Sequence, residues 1–98
     1  MPADLPDSVR QQIEKLKLPL AGTHVFQPRL VMNRKGKQHL ERQAVAYGPK
    51  EGVVGYLDEQ GRIWIKDRAH SGIPDHWDVQ IDGGMSYVRV GLDGEEIP

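Results

Sequence analysis

The sequence predicts an α+β domain, with one short N-terminal helix followed by a twisted antiparallel β-sheet of four to six strands. Three observations carry this expectation. A stretch near the N-terminus repeats apolar residues at spacings of four and three, the period of a helix. Two later stretches alternate apolar and polar residues on either side of glycine-containing turns, the pattern of hairpins. The helical signal comes before the strand signals, so helix and sheet are segregated along the chain. The 98 residues suffice for a single domain with one modest core. Residues 1–27 form its helical and loop lead-in and 28–98 its sheet.

In chain order, Asp7-Ser8 reads as an N-cap before Val9 to Leu16, where Val9, Ile13 and Leu16 share one face. The helix should stop near Leu18-Pro19, because the residue before a proline is pushed out of the helical region. Residues 20–28 are expected to be a loop. Arg29 to Met32 fits a short strand ahead of the polar turn Asn33-Arg34-Lys35-Gly36-Lys37, and residues 37–43 fit helix or strand. Gln43 to Tyr47 is strand-like until Gly48-Pro49 stops it. Gly52 to Leu57, the turn Asp58 to Gly61, and Arg62 to Lys66 make a hairpin with Gly61 at a left-handed position. In that register Tyr56 faces Trp64 on one side of the sheet and Leu57 faces Ile63 on the other.

The segment from Asp67 to Pro74 is a loop leading into Asp75-His76-Trp77-Asp78-Val79-Gln80-Ile81-Asp82. Here Trp77, Val79 and Ile81 should face the core while His76, Asp78, Gln80 and Asp82 face away from it. Gly83-Gly84 is a two-residue turn into Met85 to Val90, which sets Gln80 opposite Tyr87, Asp78 opposite Arg89 and His76 opposite Gly91. The chain closes with an Asp-Gly turn at Asp93-Gly94 and a short last strand.

The net charge of −1 conceals an asymmetry: residues 1–50 carry +5 and residues 51–98 carry −6. Between Arg29 and Lys50, six cations (Arg29, Arg34, Lys35, Lys37, Arg42 and Lys50) meet only Glu41, a balance suited to holding a polyanion. The absence of cysteine excludes a disulfide scaffold, a cysteine nucleophile and a thiolate metal site. No apolar run reaches the length of a membrane span, and the N-terminus lacks the regions of a signal peptide. The domain is therefore expected neither to insert into a membrane nor to export itself.

Solvated sheet faces usually carry Lys, Glu and Thr. The second hairpin instead gathers an imidazole, a carboxylate, an amide, a phenol and a guanidinium on one face, where cross-strand neighbours stand about 4.5–5.5 Å apart. His76 and Asp78 can share a proton, His70 can join them from the loop, and Arg89 can stabilise a developing anion. Cleavage of RNA needs little more, since the substrate carries its own nucleophile in the 2′-hydroxyl. The same atoms admit a metal: His70, Asp75, His76 and Asp78 can ligate zinc, or carboxylates with water can hold magnesium, although no recognised metal spacing is present. No metal or cofactor is expected to be required. Ser71 and Ser86 lack the context of a nucleophile.

Gly55-Tyr56-Leu57-Asp58, Gly61, Trp64, Gly72-Ile73-Pro74 and Trp77-Asp78-Val79-Gln80 resemble the ends of the C-terminal nuclease domains of bacterial polymorphic and contact-dependent toxins. Trp77-Asp78-x-Gln80 and Tyr87 also resemble the final strands of the cloacin-type colicin ribonucleases. The resemblance covers roughly the last half of the chain. It implies a twisted antiparallel sheet, metal-independent ribonuclease activity, a cognate immunity protein, and delivery to a target-cell cytoplasm within a larger secreted effector. It also implies a catalytic role for Asp78. Ile81 and Met85 stand where the colicins carry a histidine and a glutamate.

The residues expected to act are Asp78, His76, His70, Arg89 and Tyr87, with Arg29, Arg34, Lys35, Lys37, Lys66, Arg68 and Gln80 holding ribosomal RNA or tRNA. The alternative is a non-catalytic immunity or adaptor module whose acidic second half docks a basic partner.

Overall fold

The computed structural model describes residues 5–67 and 72–98. Helix α1 is Asp7–Leu16, and seven strands follow among the described residues: β1 Leu30–Met32, β2 Gln38–Leu40, β3 Arg42–Ala44, β4 Val54–Leu57, β5 Ile63–Asp67, β6 His76–Ile81 and β7 Ser86–Gly91. The α+β class holds. The expected single sheet does not: β1 and β2 form a separate two-stranded ribbon, while β3 to β7 form a five-stranded antiparallel sheet ordered as in the chain. The division falls at Glu41. Its N–H donates to the Arg29 carbonyl on the ribbon side, and its own carbonyl accepts from Leu57 of β4. The polar stretch 37–43, ambiguous by pattern, is thus strand on both sides of one pivot residue.

Helix α1 begins without the side-chain cap expected of Asp7-Ser8. Pro6 occupies the cap position with φ −57° and ψ 145°, its carbonyl accepts from Arg10 N–H, and Asp7 enters the first turn. There its carboxylate suits the positive end of the helix dipole. Lys17, at φ 64°, ends the helix in the left-handed region, and the next N–H returns to the Ile13 carbonyl. Val9 and Ile13 are fully buried against Phe26, Trp64, Trp77, Val79 and Val90. The Trp77 indole N–H donates to the Lys17 carbonyl at 3.0 Å, fastening the helix end to β6. Phe26, Trp64 and Trp77 meet edge to face, with centroids 5.3 and 6.5 Å apart along that series.

The β4–β5 hairpin has the predicted register, Tyr56 with Trp64 and Leu57 with Ile63. Each pair joins a different core: Trp64 and Tyr56 pack on the helix side, whereas Leu57 and Ile63 join Val45 and Ile65 on the opposite face. Gly61 takes φ 82° as its turn position requires. The turn closes on Asp58, which is 1% exposed. Asp58 Oδ1 accepts from the backbone N–H of Gln60 and of Arg62, and Oδ2 accepts from Arg62 Nε and Trp64 Nε1, all within 2.8–2.9 Å.

The β6–β7 hairpin also has its predicted register, including Asp78 with Arg89 and Gln80 with Tyr87. Gly83 and Gly84 both have positive φ, at 72° and 112°. The ladder nevertheless ends at Ile81 and Ser86, because Asp82 also turns to φ 52° and opens a short 3₁₀ turn. Ile81, expected in the core, lies half-buried at this frayed end. The expected last strand reduces to one bridge between Val90 and Glu96, with the Gly91 N–H donating to the Glu95 carbonyl and the Ile97 N–H to the Arg89 carbonyl, while the His24 N–H donates to the Gly94 carbonyl in the turn.

Candidate functional site

Alternation along β6 sends Trp77 and Val79 to the helix side and His76, Asp78 and Gln80 to the other face. The sequence leads one to expect that second face to be wet. It is buried: His76, Asp78 and Gln80 are 0%, 4% and 3% exposed. The cover is the chain after β3. Val45 joins the second core, the N–H groups of Ala46 and Tyr47 both donate to the Gly83 carbonyl, and Gly48-Pro49 turns Lys50 back over the sheet. A Cβ on Gly84 would collide with the Tyr47 carbonyl, so this seam closes only over glycine.

The result is a cleft of about 210 Å³ lined by Pro49, Lys50, Asp67, Asp78, Gln80, Tyr87 and Arg89. Asp78 is its floor. Burying a carboxylate is costly without a partner, and Lys50 Nζ stands 3.3 Å from Asp78 Oδ2. Arg89 lies beside it on β7, and Tyr87, half-exposed, stands at the rim. His76 sits behind the floor: its Nδ1 lies 2.8 Å from the Pro74 carbonyl, so Nδ1–H donates and Nε2 faces the site. Nε2 is 3.5 Å from both Asp67 Oδ2 and Asp78 Oδ1. Such a group can take up, pass on and stabilise charge around a ligand atom held above Asp78.

The structure therefore brings together Asp78, Gln80, Tyr87, Arg89 and, beneath them, His76. It adds two residues that the sequence reading did not place here. Asp67 ends β5 opposite His76, in the same parity as Ile63 and Ile65, and a β5–β6 register drawn from the sequence would have found it. Lys50 carries no comparable signal, since its position depends on how the chain folds back. Other expected contacts lie elsewhere. Lys66 projects from the opposite face, with Nζ 5.9 Å from the Trp77 ring centroid. Arg29 precedes β1, and Arg34, Lys35 and Lys37 are exposed in the turn of the ribbon. Arg42 lines a shallow groove on the helix side with Lys15, His39 and Tyr56. His70 and Arg68 lie outside the described residues, as does Ser71. Asp75 faces the C-terminal turn rather than the cleft.

The motif quoted above divides along the same line. Asp58, Gly61 and Trp64 are joined by the turn and its hydrogen bonds, and Gly55 is needed because a Cβ there would meet the Trp64 carbonyl at 2.6 Å. This half builds the sheet. Only Asp78 and Gln80 of the second half reach the cleft.

Comparison with protein-family models, with curated proteins and with solved structures gives no match for this chain. Fold and site together define a small α+β protein whose sheet carries a covered polar cleft with an aspartate floor.

Proposed function

We propose that this chain is a bacterial toxin-type endoribonuclease domain that cleaves RNA without a metal, through the substrate's own 2′-hydroxyl. The observation that supports this most is the convergence of Asp78, Lys50, Arg89 and Tyr87 on one cleft, with His76 3.5 Å behind the aspartate. Asp78 is the proton acceptor that meets the substrate. His76, being fully buried, acts through Asp78 as a positioning and proton-sharing partner. Arg89 and Lys50 supply positive charge where the phosphorane-like transition state gains a negative one. Tyr87 and Gln80 orient the nucleotide, and the exposed cations of the ribbon hold more distant phosphates. The target is ribosomal RNA or tRNA. The domain acts in a target-cell cytoplasm after delivery within a larger effector, and a cognate immunity protein protects the producer.

The test is to incubate the purified chain with ribosomes and with deproteinised total RNA, each with and without EDTA, and to resolve the products on a denaturing gel. A discrete fragment that persists in EDTA is expected, and which substrate yields it separates ribosome from tRNA. RNA left intact in every lane by a preparation free of co-purified protein would refute the reading.

One observation favours the second reading, a non-catalytic module that docks a basic partner. Asp75, Asp93, Glu95 and Glu96 border a single groove around Leu92 and Ile97. Expression in cells separates the two, since the nuclease poisons its host and the docking module does not.

A further inference from the structure

The geometry points to a zinc-binding site made by Asp67, His76 and Asp78, which silences the cleft when filled. The three side chains each offer one donor atom, and those atoms all lie within 4.8 Å of one another. Two independent features show that the group is set up for an ion. His76 donates from Nδ1 to the Pro74 carbonyl, the outer contact that orients a ligating imidazole, with Nε2 turned towards the two carboxylates. Asp78 is 4% exposed, and its Oδ1, on the side of His76, accepts no hydrogen bond from any described residue. Lys50 is taken up by the other oxygen, Oδ2.

The donor types and two of the three separations favour zinc. Nε2 stands 3.5 Å from each carboxylate oxygen, beyond the usual hydrogen-bond range of about 2.7–3.2 Å. Ligands about 2.1 Å from a tetrahedral ion stand roughly 3.4 Å apart, which the two Nε2–carboxylate separations match, while the Asp67–Asp78 pair, within 4.8 Å, closes by rotation of the half-exposed Asp67 side chain. An octahedral magnesium at a similar bond length brings neighbouring ligands to roughly 2.9 Å and prefers oxygen throughout. One nitrogen and two carboxylates also leave a fourth zinc position open. Zinc bound here occupies the electron pairs that the proposed cleavage reaction needs, so it inhibits where EDTA does not. The inhibitory half of this inference rests on the ribonuclease reading, whereas the binding half stands without it.

The binding test is calorimetric titration of the full chain, stripped with EDTA and then freed of chelator, with zinc chloride and separately with magnesium chloride. A single zinc per chain and no saturable magnesium signal are expected. Asp67→Asn should weaken zinc by at least about tenfold, the loss typical even of an outer-shell partner. Its side chain is 32% exposed at a strand end, so the variant folds, and a circular dichroism melt verifies this. Asp78→Asn should behave alike, and His24→Gln, beside Glu96 away from the cleft, should leave binding unchanged. Absence of stoichiometric zinc binding, or binding that survives Asp67→Asn, overturns the site. Cleavage by the wild-type chain should stop in zinc and return with EDTA; cleavage that continues with zinc bound overturns the inhibition alone. A chain that binds zinc but cuts no RNA in any condition fails as a ribonuclease and keeps the metal site.

Discussion

Replacing Asp58 with asparagine should destabilise the fold without touching the cleft. The amide oxygen can keep the two backbone donors, Gln60 N–H and Arg62 N–H, now held by Oδ1. The amide nitrogen then replaces Oδ2 and confronts two donors, Arg62 Nε and Trp64 Nε1. The Arg62 side chain is 23% exposed and can turn to water, whereas Trp64 is fully buried and cannot. A hydrogen bond to a charged group contributes about 1.5–3 kcal/mol, and an orphaned buried donor costs a comparable amount. Most of the loss therefore falls on Trp64, giving about 2–4 kcal/mol. Total stability for a domain of this length is on the order of 5–15 kcal/mol, and each 1 kcal/mol moves Tm by roughly 4–8 °C. Urea unfolding followed by tryptophan fluorescence reads this directly, with Trp64 and Trp77 as reporters, and a fall in Tm of roughly 10–30 °C should accompany it. If the variant lies within about 0.5 kcal/mol of wild type, the scale of an ordinary surface substitution, the assignment of this aspartate to the turn is refuted.

Three further outcomes follow from the same geometry. Asp78→Asn should abolish RNA cleavage while a far-UV spectrum shows the fold intact; cleavage that survives removes Asp78 from the reaction. Gly84→Ala should cost more than the roughly 1–2 kcal/mol expected of a Cβ placed at positive φ alone, because its Cβ meets the Tyr47 carbonyl. Gly36→Ala, with φ 77° and nothing within 4 Å of its Cβ, is the matched comparison in a denaturation series, and equal costs would mean that the seam is loose. Lys66→Gln should leave the cleavage rate within about threefold of wild type, since its ammonium is on the Trp77 side of the sheet; a larger loss in a single-turnover assay would place RNA on that face.

Local pattern carried much of the fold. Period-two alternation and glycine placement were enough for the registers of both hairpins, because turn geometry determines which residues lie opposite each other. Spacing of Val9 and Ile13 identified the helix face through the 3.6-residue period. What was illegible depended on contacts between distant segments. No property of Pro49 or Lys50 announces that they roof a hairpin whose first strand begins only at His76. For that reason the polar face of β6 looked solvated from its sequence and is in fact covered. Asp67 was hidden for another reason: it lies beyond the last residue of the β4–β5 hairpin pattern, and only the β5–β6 ladder sets it against His76. The quoted motif contains both the turn-building aspartate at 58 and the cleft aspartate at 78 without distinguishing them.

The strand order of the five-stranded sheet has a consequence for how the chain is made. Every ladder joins strands that are neighbours in sequence, so each closes a short loop and asks little of chain entropy. Helix α1 is the exception: its fastening point, the Trp77 indole against the Lys17 carbonyl, spans 60 residues. A ribosome releases the helix well before Trp77, the residue that fastens its end. Until β6 and β7 emerge, Val9 and Ile13 have Phe26, Leu40 and Trp64 of their core but lack Trp77, Val79 and Val90, so the helix finds its final place late.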